Sequence, residues 1–365
     1  MNLNPVGWAS AALRLLARLD SDGVNSTTPV IEIKGDAISA TNADIALVAK
    51  GTGATLAQVP DGTAAGGNKR GTGATDWQKV RSDRTYVASG VNSVIGGGTE
   101  NQASGQDSTV SGGRFNVASA TRTAVGGGEF NTASSPYSFV GGGLNNVAST
   151  STYSTVCGGN YNTAGGTSAF VGGGISNFSS GFASVICGGT DNLATGNRSS
   201  IVGGVRGTAR SIDGYTVFPA HNGAINTTNN GISQAALLVV ARQTTDATAT
   251  VLTSTNSAAS TTNQVILPNN SAYSFSGEVV AGVTGGGNTA AWNFKGAIKR
   301  GANAASTAVV GTVVLDRIAY DTGATAWTVA VTADTTNGGI KVEVAGAAAT
   351  TIRWVCKINT TEMTY

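Results

Sequence analysis

Ala-Ser-Gly-Val-Asn-Ser-Val-Ile-Gly-Gly-Gly (88–98) is answered fifteen residues later by Ala-Ser-Gly-Gln-Asp-Ser-Thr-Val-Ser-Gly-Gly (103–113). The phrase has eight copies and runs to residue 209. Its anchor is a β-branched residue two places before a Gly pair: Ile95, Val110, Val125, Val140, Val156, Val171, Ile186 and Ile201. Successive anchors lie 15 residues apart, with a single step of 16. Six residues after the anchor stands an Asn in seven copies (Asn101, Asn116, Asn131, Asn146, Asn162, Asn177, Asn192) and Gly207 in the eighth. Two further on comes a small residue: Ala103, Ala118, Ala133, Ala148, Ala164, Ser179, Ala194, Ala209. A strict period of this kind marks a stacked array.

A period of 15 is short for a helical repeat and suits one coil of a β-solenoid. Coils stack at about 4.8 Å, so eight rise roughly 40 Å. The Gly pair offers a corner with positive φ or close backbone approach. The Asn suits a tight bend that tolerates the left-handed region, and its amide can ladder with the next coil. Val/Ile and Ala face inward. One bulky aliphatic and one Ala per coil is little apolar surface against the entropy of chain ordering. The expectation is therefore that the eight Val/Ile anchors form a core shared between three chains.

These repeats resemble the head repeats of trimeric autotransporter adhesins, and similar ones occur in bacteriophage tail fibre and tailspike proteins. The resemblance implies a left-handed parallel β-roll per chain and a homotrimer. This chain departs from the adhesin form in its longer 15-residue period and in lacking a following membrane anchor. The flanks are similar to phage fibre proteins. Ala-Lys-Gly-Thr-Gly-Ala (49–54) and Gln-Val-Pro-Asp-Gly-Thr (58–63) resemble the segments before the repeats, with Ala49 where Pro is usual. Ile-Leu-Pro-Asn-Asn-Ser-Ala-Tyr (266–273), Lys-Arg-Gly-Ala-Asn-Ala-Ala (299–305) and Thr-Ala-Asp-Thr-Thr-Asn-Gly-Gly (332–339) resemble the terminal knob.

Composition fits a stacked-β protein. Of 365 residues 52 are Gly, only 12% are charged, and the net charge is +2. No Lys/Arg cluster marks a nucleic-acid footprint, and no apolar run is long enough to span a membrane. Cys157 and Cys187 share one phase of the repeat two coils apart, about 10 Å and beyond disulfide reach. With Cys356 they read as free, buried thiols, as in a protein assembled in a reducing host cytoplasm. The segment 8–19 is interrupted by Arg14 and Arg18 and is no secretion signal.

Four regions follow. Residues 1–83 form a virion-attachment module. A short helix over 8–19 places Trp8, Leu15, Leu16 and Leu19 on one apolar face for docking, and strands lie at 29–34 and 45–49. Trp77 reads as a plug over the first coil. Residues 84–209 are the β-roll shaft, and 210–236 an irregular neck. His221 has no Cys or Glu at ligand spacing, so no metal is expected. Residues 237–365 alternate like the strands of a β-sandwich or jelly roll, with an Asn337-Gly338-Gly339 hairpin turn. Trp292, Trp327 and Trp354 share parity with aliphatic neighbours and read as core.

The carboxylates Glu100, Asp107, Glu129, Asp191, Asp316, Asp321, Glu343 and Glu362 form no evident catalytic pair and read as solvated charges. Receptor-binding candidates are the knob loops with Asn269, Asn270, Asn288, Tyr320 and Asp321, and a roll column of Phe115, Phe130 and Tyr161 broken by Asn145. The fold class expected is all-β: a homotrimeric fibre with eight coils and a C-terminal knob. The function expected is a non-enzymatic, cofactor-free phage fibre or tailspike on the virion. Residues 1–83 would dock on a tail or capsid adaptor, and the knob would bind a host cell-surface glycan such as lipopolysaccharide. A capsid-attached decoration fibre and a polysaccharide-degrading tailspike are the alternatives.

Overall fold

A computed structural model describes residues 53–220, 225 and 228–365. The docking helix, Trp8, Leu15, Leu16, Leu19, the strands at 29–34 and 45–49, and His221 lie outside these residues. The described chain is all-β apart from two single 3-10 turns.

The repeat region is a parallel β-solenoid of about ten turns. Each coil contributes two-residue strands to two parallel ladders. Ladder A stacks Val94–Ile95, Thr109–Val110, Ala124–Val125 and their successors through Ser200–Ile201. Ladder B stacks Gln102–Ala103 through Leu193–Ala194. A third set of parallel bridges runs through Thr99, Arg114 and Glu129 to Val205. The eight-coil count needs correction, because Thr55–Leu56 and Thr75–Asp76 pair in parallel below the first repeat. Their spacings are 20 and 19 residues, so they escape the period. Leu56 holds the inward place of the first, but the second is polar inside. Asp76 takes the inward place of a Val/Ile and pairs with Arg70 at 2.7 Å and Arg81 at 3.6 Å, all three side chains buried.

One chain makes its own interior. All eight Val/Ile anchors and their Ala or Ser partners are fully buried within the single solenoid. The shared trimer core expected of Ile95, Val110, Val125, Val140, Val156, Val171, Ile186 and Ile201 is thereby corrected. Those side chains have no surface left for another chain. Apolar area per coil was the wrong measure, because much of each coil is held by hydrogen bonds instead. Each Asn Nδ2 donates to two Gly carbonyls: Asn131 reaches Gly127 and Gly143, both at 2.9 Å. Each Asn Oδ1 accepts the backbone N–H of the matching residue one coil on, as Asn131 does from Asn146 at 2.9 Å and Asn192 from Gly207 at 2.8 Å. Every polar atom of the buried amide is thus satisfied.

The Asn is not the left-handed residue of the bend. That is its predecessor: Glu100, Phe115, Phe130, Asn145, Tyr161, Ser176, Asp191 and Arg206 all have φ of 53–59°. A second left-handed column holds Asn92, Asp107, Arg122, Tyr137, Tyr153, Ser168, Ala183 and Arg198. The Gly that the Asn straddles needs its freedom for a steric reason as well. Gly143 has φ +92°, and a Cβ there would lie 2.1 Å from the carbonyl oxygen of Gly159 in the next coil.

The expected irregular neck contains regular structure. Thr216–Pro219 (β1) pairs in parallel with Ser200–Ile201 and antiparallel with Ser233–Thr244 (β2). From there the same sheet runs on through the C-terminal domain. The strands in chain order are Thr250–Val251 (β3), Val265–Ile266 (β4), Ser271–Val283 (β5), Thr289–Arg300 (β6), Ala308–Tyr320 (β7), Thr328–Asp334 (β8), Gly339–Ala345 (β9) and Ile352–Thr364 (β10). The large sheet continues from ladder A in the order β1-β2-β10-β5-β6-β7. A small antiparallel sheet pairs β9 with β3, β4 and β8. Core residues from the two sheets form one buried cluster. Trp354 touches Trp292 and Trp327 with ring centroids 5.8 Å apart in each case, so all three Trp are core. The expected hairpin joins β8 to β9, with Gly338 at φ +83°.

Candidate functional site

The left-handed corners decide what the solenoid shows to solvent. A residue there projects its side chain away from the coil, and the corner recurs each turn, so side chains stack in columns. Phe115 and Phe130 stack at 4.9 Å and 5°, with the Arg114 guanidinium 4.8 Å from the Phe115 ring. Arg114 pairs with Glu129 at 3.2 Å. Tyr161 stands apart from them and is 58% exposed, because Asn145 and Ser176 flank it in its column.

The second column was not singled out from the sequence, and it is the more elaborate. Tyr137 stacks on Tyr153 at 5.0 Å. Arg122 donates to the Tyr137 hydroxyl at 2.7 Å and lies 3.8 Å from the Asp107 carboxylate. Tyr153 is 56% exposed, and Ser168 follows it in the column, so no ring lies on its far side there. Asp107, Arg122, Tyr137 and Tyr153 therefore form a four-coil ledge along the axis. The signal is in the sequence: these residues recur at the repeat spacing, eight residues before the Phe115 column. Elsewhere, Asp191 and Arg206 pair at 3.5 Å and, with Ser176 and Phe178, line a shallow polar depression. Exposed pairs of this kind contribute about 0–1 kcal/mol each to stability, so they matter more for what they present than for what they hold.

The C-terminal candidates do not converge. Asn269 and Asn270 lie at the start of β5, where the Asn270 N–H donates to the Gly301 carbonyl at 2.9 Å. Asn288, Tyr320 and Asp321 lie at the other end of the strand pair, some eleven residues or about 35 Å away. The Asp321 carboxylate is already engaged, accepting from the Thr289 N–H at 2.8 Å. Arg317 covers Tyr320 at 5.0 Å.

Glu362 is not a solvated charge. Its side chain is fully buried where the solenoid meets the C-terminal sheet. It pairs with Arg210 of the last coil at 2.6 Å. It accepts from Gln234 Nε2 and Thr360 Oγ1, each at 2.8 Å, and from the Tyr215 hydroxyl. Burial holds the Tyr215 and Tyr273 hydroxyls protonated well above the usual phenol range, with Glu362 acting in the same direction. Burial also pushes the Cys356 thiol up to about 12. Cys157 and Cys187, by contrast, are exposed, because each follows an inward Val/Ile by one residue and so points outward. Trp77 is likewise 44% exposed on the outside of ladder A and is not a plug.

These buried groups set an alkaline limit. An acid whose folded pKa is raised keeps its proton in the fold and loses it in the unfolded chain. Its stabilising contribution is whole below the unfolded pKa and declines as pH rises toward the folded one. For Cys356 that window opens near 9.0 and closes near 12, with a slope of about 1.4 kcal/mol per pH unit. The two Tyr add to it from 10.0 upward. Calorimetry should show the melting temperature falling from pH 9 to 11, and Cys356→Ala should remove the first part of the fall. A flat profile to pH 11 would count against the buried assignments.

Among the described residues no group of three or more His, Cys, Asp or Glu is placed to hold a metal ion. No described helix is long and apolar enough to cross a membrane. Fold and surface together define a parallel β-solenoid protein with an antiparallel C-terminal domain and columns of outward rings and charges. Compared with known proteins, the chain matches no family model and no curated protein. Among solved structures it is similar to the Acinetobacter baumannii phage AM24 tailspike protein, at 6% identity over 79% of this chain and 65% of that one, with a TM-score of 0.21. It is also similar to the Acinetobacter phage vB_ApiP_P1 tailspike protein, at 9% identity over 83% of this chain and 68% of that one, with a TM-score of 0.20. The chain thus spans about two thirds of the length of either tailspike. Superpositions this loose carry no weight for function.

Proposed function

We propose that this chain is a phage fibre or tailspike subunit that acts as a homotrimer, binds a host cell-surface glycan and performs no catalysis. Residues 1–83 serve as the attachment to a tail or capsid adaptor. The repeats and the three C-terminal segments that resemble fibre proteins support the class. The observation that carries the binding role is the ledge of Asp107, Arg122, Tyr137 and Tyr153. Glycans are held in shallow sites by aromatic faces beside charged and hydroxyl groups. A column repeating at the coil pitch offers those groups along a line, which suits an extended polymer. Three ledges on one particle give avidity without a tight single site.

Four carboxylates, each already engaged, support the non-enzymatic reading, while Glu278 and Asp316 share one cleft of the C-terminal sheet. Glu129 and Asp107 are paired with Arg, Glu100 accepts from the Ser82 N–H at 2.6 Å, and Glu343 lies 3.7 Å from Lys341. The test is adsorption to host cells and binding to purified host polysaccharide. Replacing both Tyr137 and Tyr153 with Ala should lower binding at least tenfold while the melting temperature moves by only a few degrees. Tyr320→Ala should have little effect. Undiminished binding by the double variant would remove the ledge from the proposal, and loss with Tyr320→Ala would move the site to the C-terminal domain. New reducing ends on incubation with host polysaccharide would overturn the non-enzymatic reading.

A further inference from the structure

We infer that three copies associate through the outer face of ladder A, which points at the common axis. This inference rests on the homotrimer proposed above and assigns the surface that makes it. Two columns of side chains point outward from ladder A, one on each side of the buried Val/Ile. The first runs Thr55, Thr75, Val94, Thr109, Ala124, Phe139 and on to Ser200 and Thr216; the second runs Ala57, Trp77, Gly96, Ser111, Gly126, Gly141 and on to Val202 and Phe218. Neither column holds a charged residue. Every charge of the eight repeats stands instead at the left-handed corners or on the third set of bridges: Glu100, Asp107, Arg114, Arg122, Glu129, Asp191, Arg198 and Arg206.

Several side chains of this face are bare in the single chain: Trp77 at 44%, Phe139 at 41%, Val202 at 49% and Phe218 at 48% exposed. The same sheet face continues beyond the solenoid. Across the C-terminal strands it presents Val239, Val355 and Val280, and the nearby Lys357 and Glu278 neutralise each other at 3.1 Å. Ladder B is also uncharged on its outside, but beyond Leu193–Ala194 it continues only as a single bridge to Thr208, and no strand of the C-terminal sheets extends it. Ladder A runs uncharged through the solenoid, carries the larger bare side chains of the two, and is continued by full strands of the C-terminal sheet, where the face also bears Arg353, Lys295 and Asp316.

The pitch selects the occupant. Side chains on this face recur every coil at about 4.8 Å. A surface that interdigitates with it over many coils needs the same spacing, and a parallel second copy has it. The small residues of the second column let backbones approach closely, so that Phe139 and Trp77 have grooves to enter. Three such faces around a threefold axis close the assembly without leaving an open end to grow.

Cys157 and Cys187 lie in the second column and report on the face directly. The full-length protein is first sedimented. A species of three times the 36.2 kDa chain is expected, and a 36.2 kDa species would remove the homotrimer itself. The native oligomer is then treated with a chromogenic thiol reagent. Cys157 and Cys187 should react at least a hundredfold more slowly than after denaturation. Rapid reaction of both in an intact oligomer would overturn the face while leaving the trimer standing. Phe139→Asp should dissociate the oligomer with the far-ultraviolet β signal kept, and Phe178→Asp, on the outside of ladder B, should leave it whole. The reverse pattern would assign the interface to ladder B. The thiol measurement decides the matter even if a variant does not fold.

Discussion

Replacing Asn146 with Ala is expected to lower the unfolding free energy by about 3–5 kcal/mol, the sum of two or three buried groups left without a partner. Asn146 Oδ1 accepts from the backbone N–H of Asn162 at 3.0 Å and from Asn162 Nδ2 at 3.2 Å. Its own Nδ2 donates to the carbonyls of Gly142 and Gly159, both at 2.8 Å. Asn146 and Asn162 are fully buried between coils, so the Asn162 groups cannot turn to water. A solenoid transmits stability from neighbour to neighbour, so a break in mid-stack also uncouples the two halves. Denaturant titration should show a lower midpoint and a broader transition. The adjacent Asn145 supplies the contrast. It sits at the left-handed corner with φ +55°, where Gly fits at least as well, so Asn145→Gly should change stability by less than about 0.5 kcal/mol. Equal effects from the two neighbours would mean that the Asn ladder does not carry the coil.

Glu362→Ala is the second large effect. It leaves Arg210 beside the junction with no carboxylate, the Tyr215 hydroxyl loses its acceptor, and Gln234 and Thr360 each lose one of two. Breaking a buried pair from one side costs about 3–5 kcal/mol, because the remaining charge stays desolvated. Glu362→Gln, which keeps an acceptor oxygen, should cost less. The exposed pair of Glu278 and Lys357 gives the scale: Glu278→Ala should alter stability by under about 1 kcal/mol. If Glu362→Ala were as mild as Glu278→Ala, the last coil and the C-terminal sheet would not be locked through this cluster.

The repeat made most of the solenoid legible. A β-branched anchor, a Gly pair and an Asn at fixed spacing fix which residues turn inward, and the ladders follow in register. The alternation of the C-terminal strands likewise marked Tyr273, Phe275, Trp292, Trp327, Trp354 and their neighbours as core, and they are buried. Legibility failed where the pattern was borrowed for a different purpose. Asp76 replaces an aliphatic with a buried ion pair, and this hid the second of the two leading coils. Glu362 looked like one more surface charge, since a carboxylate's burial depends on an Arg 152 residues away. The Tyr137 ledge escapes a reading of the Phe115 column alone, because it occupies a different phase of the same repeat.

By itself, then, the sequence determined the period, the inward columns and the all-β class, because these depend on local spacing that any coil must satisfy. Tertiary structure decided the rest. It showed that one chain fills its own interior, because hydrogen bonds between coils do what apolar area alone could not. It split the C-terminal loop residues between two ends of a long strand pair, and it carried ladder A unbroken into the C-terminal sheet. Those outcomes depend on contacts between residues far apart in the chain, and no local spacing encodes them.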